Sequence, residues 1–193
     1  MKKMNTRPVP ATASKREDII RIAYSVFDEH GFVETGIDKV FADSGISKRT
    51  VYKYFASKEE LIAAAILYYQ TQAFEEIRNS LEARAKTPKE KLLALFELKR
   101  EELQDKEYSG CFAINAGLSY RGKNKLIENA SCTFLRETEK MIAGLCREAG
   151  CPQPEVTAMQ IMILFQGTIL HGQSHRDPAA AAAAKKAVQA LLK

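Results

Sequence analysis

Helical spacing of apolar residues, broken only by caps, glycines and prolines, constrains this chain more than any other feature of its sequence. From Ser14 onward, Ile19, Ile20, Ala23, Val26 and Phe27 fall on one stripe of a 3.6-residue period, and Ser14 with Glu17 forms a capping-box pattern. Gly31 closes that segment. Thr35 is expected to cap a short stretch with Ile37, Val40 and Phe41, which Gly45 stops. Ser47 caps the next, over 48–54, anchored by Val51 and followed by Phe55. Ser57 with Glu60 repeats the capping pattern ahead of a long helix over 58–84. Further helices are expected over 88–106, 111–118, 123–149 and 154–172, separated by Gly110, Gly122 and Gly150 with Pro152. The segment 154–172 is apolar on nearly every side and so needs cover on two faces. Asp177-Pro178 caps a last helix that begins with six alanines. No stretch alternates with period two between hairpin turns, and no repeat recurs at fixed spacing. The expectation is an all-α fold of about nine helices.

A chain of 193 residues has room for one domain, or for a small domain joined to a larger one. No apolar run approaches the roughly 18 residues that a membrane helix needs. The basic start, from Met1 to Pro8, has no apolar run behind it, so a secretory signal is not expected and the cytoplasm is the expected location. Four cysteines, Cys111, Cys132, Cys146 and Cys151, form no CxxC pair and are expected as reduced thiols, mostly buried. Cys146 and Cys151 straddle Gly150, which leaves redox sensing as an alternative role.

Charge is unevenly placed. Residues 1–58 hold 11 Lys+Arg against 7 Asp+Glu, while the remainder holds 18 against 17. Between Ser44 and Lys58 there are four bases, Lys48, Arg49, Lys53 and Lys58, and no acid. That stretch coincides with two short helices meeting across Asp43-Ser44-Gly45-Ile46-Ser47. A helix, a glycine turn and a second helix of this length make a helix-turn-helix, whose second helix can lie in the major groove of duplex DNA. Ser47 and the free amides beside it can meet a phosphate. Lys48, Arg49 and Thr50 lie in the first turn, where base edges are reached. Tyr52, Lys53 and Tyr54 can reach sugar and phosphate, and Lys58 can clamp a further phosphate.

Residues 14–61 resemble the DNA-binding domain of TetR-family transcriptional regulators. The resemblance is carried by Ala23 and Phe27, Gly31-Phe32, Thr35, Val40-Phe41, Ser44-Gly45-Ile46-Ser47, Tyr52-Lys53-Tyr54-Phe55 and Lys58-Glu59. Phe41 and Ser44 stand where the family usually has alanine, so packing between the first two helices must adjust to a bulkier ring. The resemblance implies a helix-turn-helix domain over 14–57, preceded by a flexible arm over 1–13. A helical effector-binding and dimerisation domain follows over 58–193. It further implies a homodimer on a palindromic duplex operator, usually repressing, and released by a small molecule. Thr35 joins the DNA-binding set on this ground.

Within 58–193, residues 154–172 and 178–192 are expected to pair the two copies, because small alanines let helix axes approach closely. Phe74, Phe96, Phe112, Asn115, Phe134 and Gln166 are candidates for lining an effector pocket, though each also reads as core, or as a cap in the case of Asn115. An enzyme is a weaker alternative, since no phosphate loop, nucleophile elbow or dinucleotide fingerprint occurs. His171 and His175 have metal-ligand spacing, but Gly172 lies between them and residues 175–178 read as a loop. Neither a metal nor a cofactor is expected.

Overall fold

The computed structural model describes residues 14–193; the arm expected over 1–13 lies outside the described residues. Among the described residues there are nine α-helices and no strand. They are α1 (Lys15–His30), α2 (Ile37–Val40), α3 (Lys48–Val51), α4 (Lys58–Arg84), α5 (Pro88–Leu103), α6 (Phe112–Ser119), α7 (Lys125–Glu148), α8 (Pro154–His175) and α9 (Ala179–Leu191).

Most of the caps that set the sequence expectations are made, but Thr35 is not one: α2 starts after Gly36 with no side-chain cap, and the Thr35 hydroxyl donates to the His30 carbonyl instead. Ser14 Oγ accepts from the Glu17 amide, and the Glu17 carboxylate accepts from the Ser14 amide. The Glu60 amide donates to Ser57 Oγ at 3.1 Å, but the Glu60 carboxylate reaches one residue further back, to the Ala56 amide at 2.6 Å. Thr87 and Glu90 form a third box, with Pro88 at the first helical position. The Asp177 carboxylate accepts from the Ala179 amide at the head of α9. α3 is shorter than expected. Its regular turn ends at Val51, and residues 52–54 continue as turns whose amides bond back to Lys48, Thr50 and Val51.

α8 departs from expectation in the other direction. It runs through Gly172 to His175 and ends at Arg176, which takes the left-handed conformation. Residue 175 is therefore helical, not part of a loop. The His171 and His175 rings stack 4.3 Å apart on the exposed side of α8. Among the described residues, no group of three metal-ligating side chains forms around them or elsewhere.

The chain divides into two compact units. One comprises residues 14–73 with 111–134, and the other residues 74–110 with 135–193. In the first, α1 packs on α2. Its core is built from Ile19, Ile20, Ala23 and Phe27 of α1, with Phe32, Ile37, Val40, Phe41, Ile46, Val51 and Phe55, and with Leu61, Ile62 and Ile66 of α4. Phe41 is accommodated as buried core. An aromatic group extends that core: Phe112 of α6 meets Tyr24 at 4.9 Å and Phe32 at 5.0 Å, both edge-on. Tyr69 of α4 lies 5.7 Å from Phe112 and 5.4 Å from Phe134.

In the second unit α9 packs on α5 and α8, and α5 packs on α8. Phe96 and Phe165 meet at right angles 5.7 Å apart. A charge lies inside this unit. Lys99 is buried, pairs with Glu102, and stands over the rings of Phe165 and Tyr108. Burial with a carboxylate partner and two ring faces compensates the ammonium. α9 turns Ala181, Ala184, Val188 and Leu192 inward and leaves Ala182, Ala183, Ala187 and Ala190 outward.

Candidate nucleic-acid interface

The turn between α2 and α3 is set by its own side chains. Gly45 has φ +67, a conformation that residues with a Cβ rarely adopt. Ser44 Oγ donates to the Phe41 carbonyl at 2.9 Å and accepts from the Ile46 amide at 3.1 Å, so the polar groups of the corner are matched locally. Ile46 is buried and pins the turn to the core. Ser47 Oγ then accepts from the Thr50 amide at 3.1 Å and shares a hydrogen bond with Thr50 Oγ1 at 2.9 Å. A four-residue helix is far below the length at which helices persist alone. α3 is therefore held by its cap and by Val51 and Phe55, each essentially buried.

With one side of α3 fixed in the core, the other faces solvent. Lys48, Arg49 and Lys53 are exposed, and Tyr52 and Tyr54 are exposed at 45% and 41%. Such rings are unusual outside a core and suit flat contact with sugar and phosphate. Lys48 is already engaged. Its Nζ lies 2.8 Å from Asp38 Oδ2, and that hydrogen bond, then the Asp38 charge, raises the ammonium above the ordinary lysine range. Lys58 turns inward, donating to the Val33 carbonyl at 3.2 Å and standing 6.0 Å from the Phe27 ring. Burial lowers its pKa, opposed by the charge of Glu59. Thr35 is wholly buried, with its hydroxyl donating to the His30 carbonyl at 3.3 Å. Arg16 adds a cation that the sequence did not single out, its guanidinium lying 5.0 Å from the Phe55 ring.

The profile described as "Bacterial regulatory proteins, tetR family" matches residues 19–65, the stretch that builds this surface. Residues 19–65 are similar to the TetR-family DNA-binding domain. Over 92 residues it is 35% identical to the uncharacterized HTH-type transcriptional regulator YerO of Bacillus subtilis, covering 47% of this chain and 32% of that one. Over 82 residues it is 34% identical to the HTH-type transcriptional regulator UidR of Escherichia coli K12, covering 42% and 40%. The matched stretches thus span well under half of these relatives' lengths. Solved TetR structures share the fold over nearly the whole chain. The regulator from Cytophaga hutchinsonii has a TM-score of 0.81 at 17% identity, covering 96% of both chains. The reduced form of E. coli NemR has a TM-score of 0.79 at 16% identity, covering 92% of this chain and 97% of that one.

The effector candidates fall into two groups. Phe112, Asn115 and Phe134 belong to the unit containing the helix-turn-helix, where Phe112 and Phe134 both contact the Tyr69 ring. Phe74, Phe96 and Gln166 belong to the other unit, where Phe96 is buried against Phe165 while Phe74 and Gln166 are half-buried. Among the described residues, no helix is long and apolar enough to cross a membrane.

Proposed function

We propose that this chain is a transcriptional regulator that binds a palindromic duplex operator as a homodimer, represses from it, and releases it when a small molecule binds. The carrying observation is the exposed edge of Arg49, Tyr52, Lys53 and Tyr54 on a segment whose other side, Val51 and Phe55, is locked in the core. A rigid backing that presents exposed cationic and aromatic side chains is what groove readout requires.

In this reading residues 14–57 bind the operator and residues 58–193 dimerise and take the effector. Arg49 and Thr50 meet base edges, while Ser47, Tyr52, Lys53 and Tyr54 meet the backbone. Lys48 and Lys58 join when their present partners, Asp38 and the Val33 carbonyl, release them. Thr35 contributes through the fold of the domain, since its side chain is enclosed. The effector is read by side chains among Phe74, Phe96, Phe112, Asn115, Phe134 and Gln166. The protein acts in the cytoplasm as a binding protein, not as an enzyme.

Homodimer formation is supported by α8. Val156, Met159, Ile163 and Leu170 recur on one exposed stripe of that helix, with Ile163 at 61% and Leu170 at 63% exposure. The outward alanines of α9 supply a flat neighbour for close helix approach. The test is selection from a random duplex pool by the full chain. The expected product is a two-fold symmetric site bound at two chains per duplex. Recovery of no sequence preference, with affinity governed by salt alone, overturns operator recognition.

A further inference from the structure

We propose that Cys146 and Cys151 form a reversible dithiol–disulfide pair that hydroperoxides oxidise, fastening the end of α7 to the segment that leads into α8. The pair belongs to one compact unit and rests on the way α7 ends. The Cys151 amide donates to the Cys146 carbonyl at 3.0 Å, and the Gly150 amide donates to the Arg147 carbonyl at 3.0 Å. Gly150 sits at φ +73. These three features define a Schellman termination, which folds the residue after the glycine back against the residue five positions earlier. Both of those residues are cysteines here. With the Cys146 oxygen 3.0 Å from the Cys151 nitrogen, standard bond lengths leave the two Cα atoms under roughly 7 Å apart, at the upper edge of the span that disulfides bridge. An exposed ion pair between Arg147 and Glu155 at 2.8 Å spans the same corner.

The two thiols differ in ways that set their order of reaction. Cys146 is fully buried, and its thiol is pushed up to about 12, by burial first and by the charge of Cys151 second. Cys151 is half-exposed and is the thiol a solute can reach. Its thiolate attacks one peroxide oxygen. A sulfur–oxygen bond forms, the oxygen–oxygen bond breaks, and the departing hydroxide or alkoxide takes a proton to leave as water or alcohol. The Cys146 sulfur then attacks the resulting sulfenic acid. The sulfur–sulfur bond forms, the sulfur–oxygen bond breaks, and hydroxide leaves as water with the Cys146 proton. Two thiols are oxidised by two electrons and one hydroperoxide is reduced. A dithiol reductant reverses the change by exchange.

Hydrogen peroxide titrated onto the folded full chain is the test, followed by alkylation in denaturant, intact mass and peptide mapping. The expected result is the loss of two hydrogens per chain, a linked peptide pair containing Cys146 and Cys151, and full recovery with dithiothreitol. Cys151→Ser, at a half-exposed position, is expected to keep its fold by circular dichroism and to give no intramolecular disulfide. Cys132→Ser, at an exposed thiol outside the pair, is expected to oxidise as the unaltered chain does. A linked pair containing Cys111 or Cys132, over-oxidation of Cys151 with Cys146 still alkylated, or no loss of hydrogen at all overturns the assignment.

Discussion

Arg49 and Lys48 are neighbours in one turn, yet their surroundings make them unequal. Lys48 spends its charge on Asp38 at 2.8 Å, whereas Arg49 stands exposed in the acid-free stretch beside it. Arg49→Ala is expected to weaken operator binding by roughly 1–3 kcal/mol and to relax preference at one base pair, as loss of a base-reading guanidinium does. Fluorescence anisotropy on the selected site measures it, and an unchanged affinity moves the reading residue elsewhere. Asp38→Asn acts through charge alone. It removes a carboxylate from the basic face and releases Lys48, so binding to random duplex should tighten. The plot of log affinity against log salt should also steepen, by about 0.9 for one added phosphate contact. An unaltered slope places Asp38 off the phosphate path. The basic stretch was legible in the sequence because charge is written residue by residue. The Asp38 partnership was not, since ten residues separate the pair and only the turn at Gly45 brings them together.

At the scale of elements, caps and breakers declared nearly every helix, because a cap acts on the backbone amides beside it and needs no distant partner. α8 shows where that locality ends. Gly172 inside a helix costs about 1 kcal/mol relative to alanine, which argued for a stop, but packing on α5 and α9 carries the helix on to His175. α6 shows the same limit in another form. Its eight residues read as short and apolar with Phe112 and Asn115 as pocket candidates, whereas in the fold Phe112 is the ring on which Tyr24, Phe32 and Tyr69 converge. Phe112→Ala is expected to destabilise the chain by roughly 3–5 kcal/mol, the usual cost of emptying a ring-sized space in a core. Urea denaturation followed by circular dichroism measures it. A loss below about 1 kcal/mol indicates that the space tolerates change, as a ligand pocket does and a closed aromatic core does not.

For the whole molecule, the division at residue 57 is one of motif, while the compact units are ones of packing. Residues 111–134 group with the chain up to 73, and α4 and α7 each contribute to both units. Because α4 runs from one unit into the other, it is the element we propose for the switch between effector and operator. The exposed stripe of α8 makes the assembly testable. Ile163→Asp places a charge at its centre and is expected to convert the proposed dimer to monomer in sedimentation velocity, with operator affinity falling in parallel because half-sites are then bound singly. A variant that still sediments as a tight dimer moves the pairing surface to another face.

Helix period, caps and the charge of the 44–58 window are local properties, so the sequence alone determined the all-α class, the order of the helices and the place of the helix-turn-helix. Which side chains are free to act is a matter of partners distant along the chain, and only the tertiary structure decided it. Thr35 is enclosed because it closes onto His30, Lys58 turns inward because the Val33 carbonyl lies within reach, and the Lys48 ammonium is paired because the chain folds back onto Asp38. The face of α8 left uncovered follows from the same cause. Residues apolar all round announce a need for two neighbours, but which stripe faces α5 and α9 and which faces outward is fixed only when those helices pack.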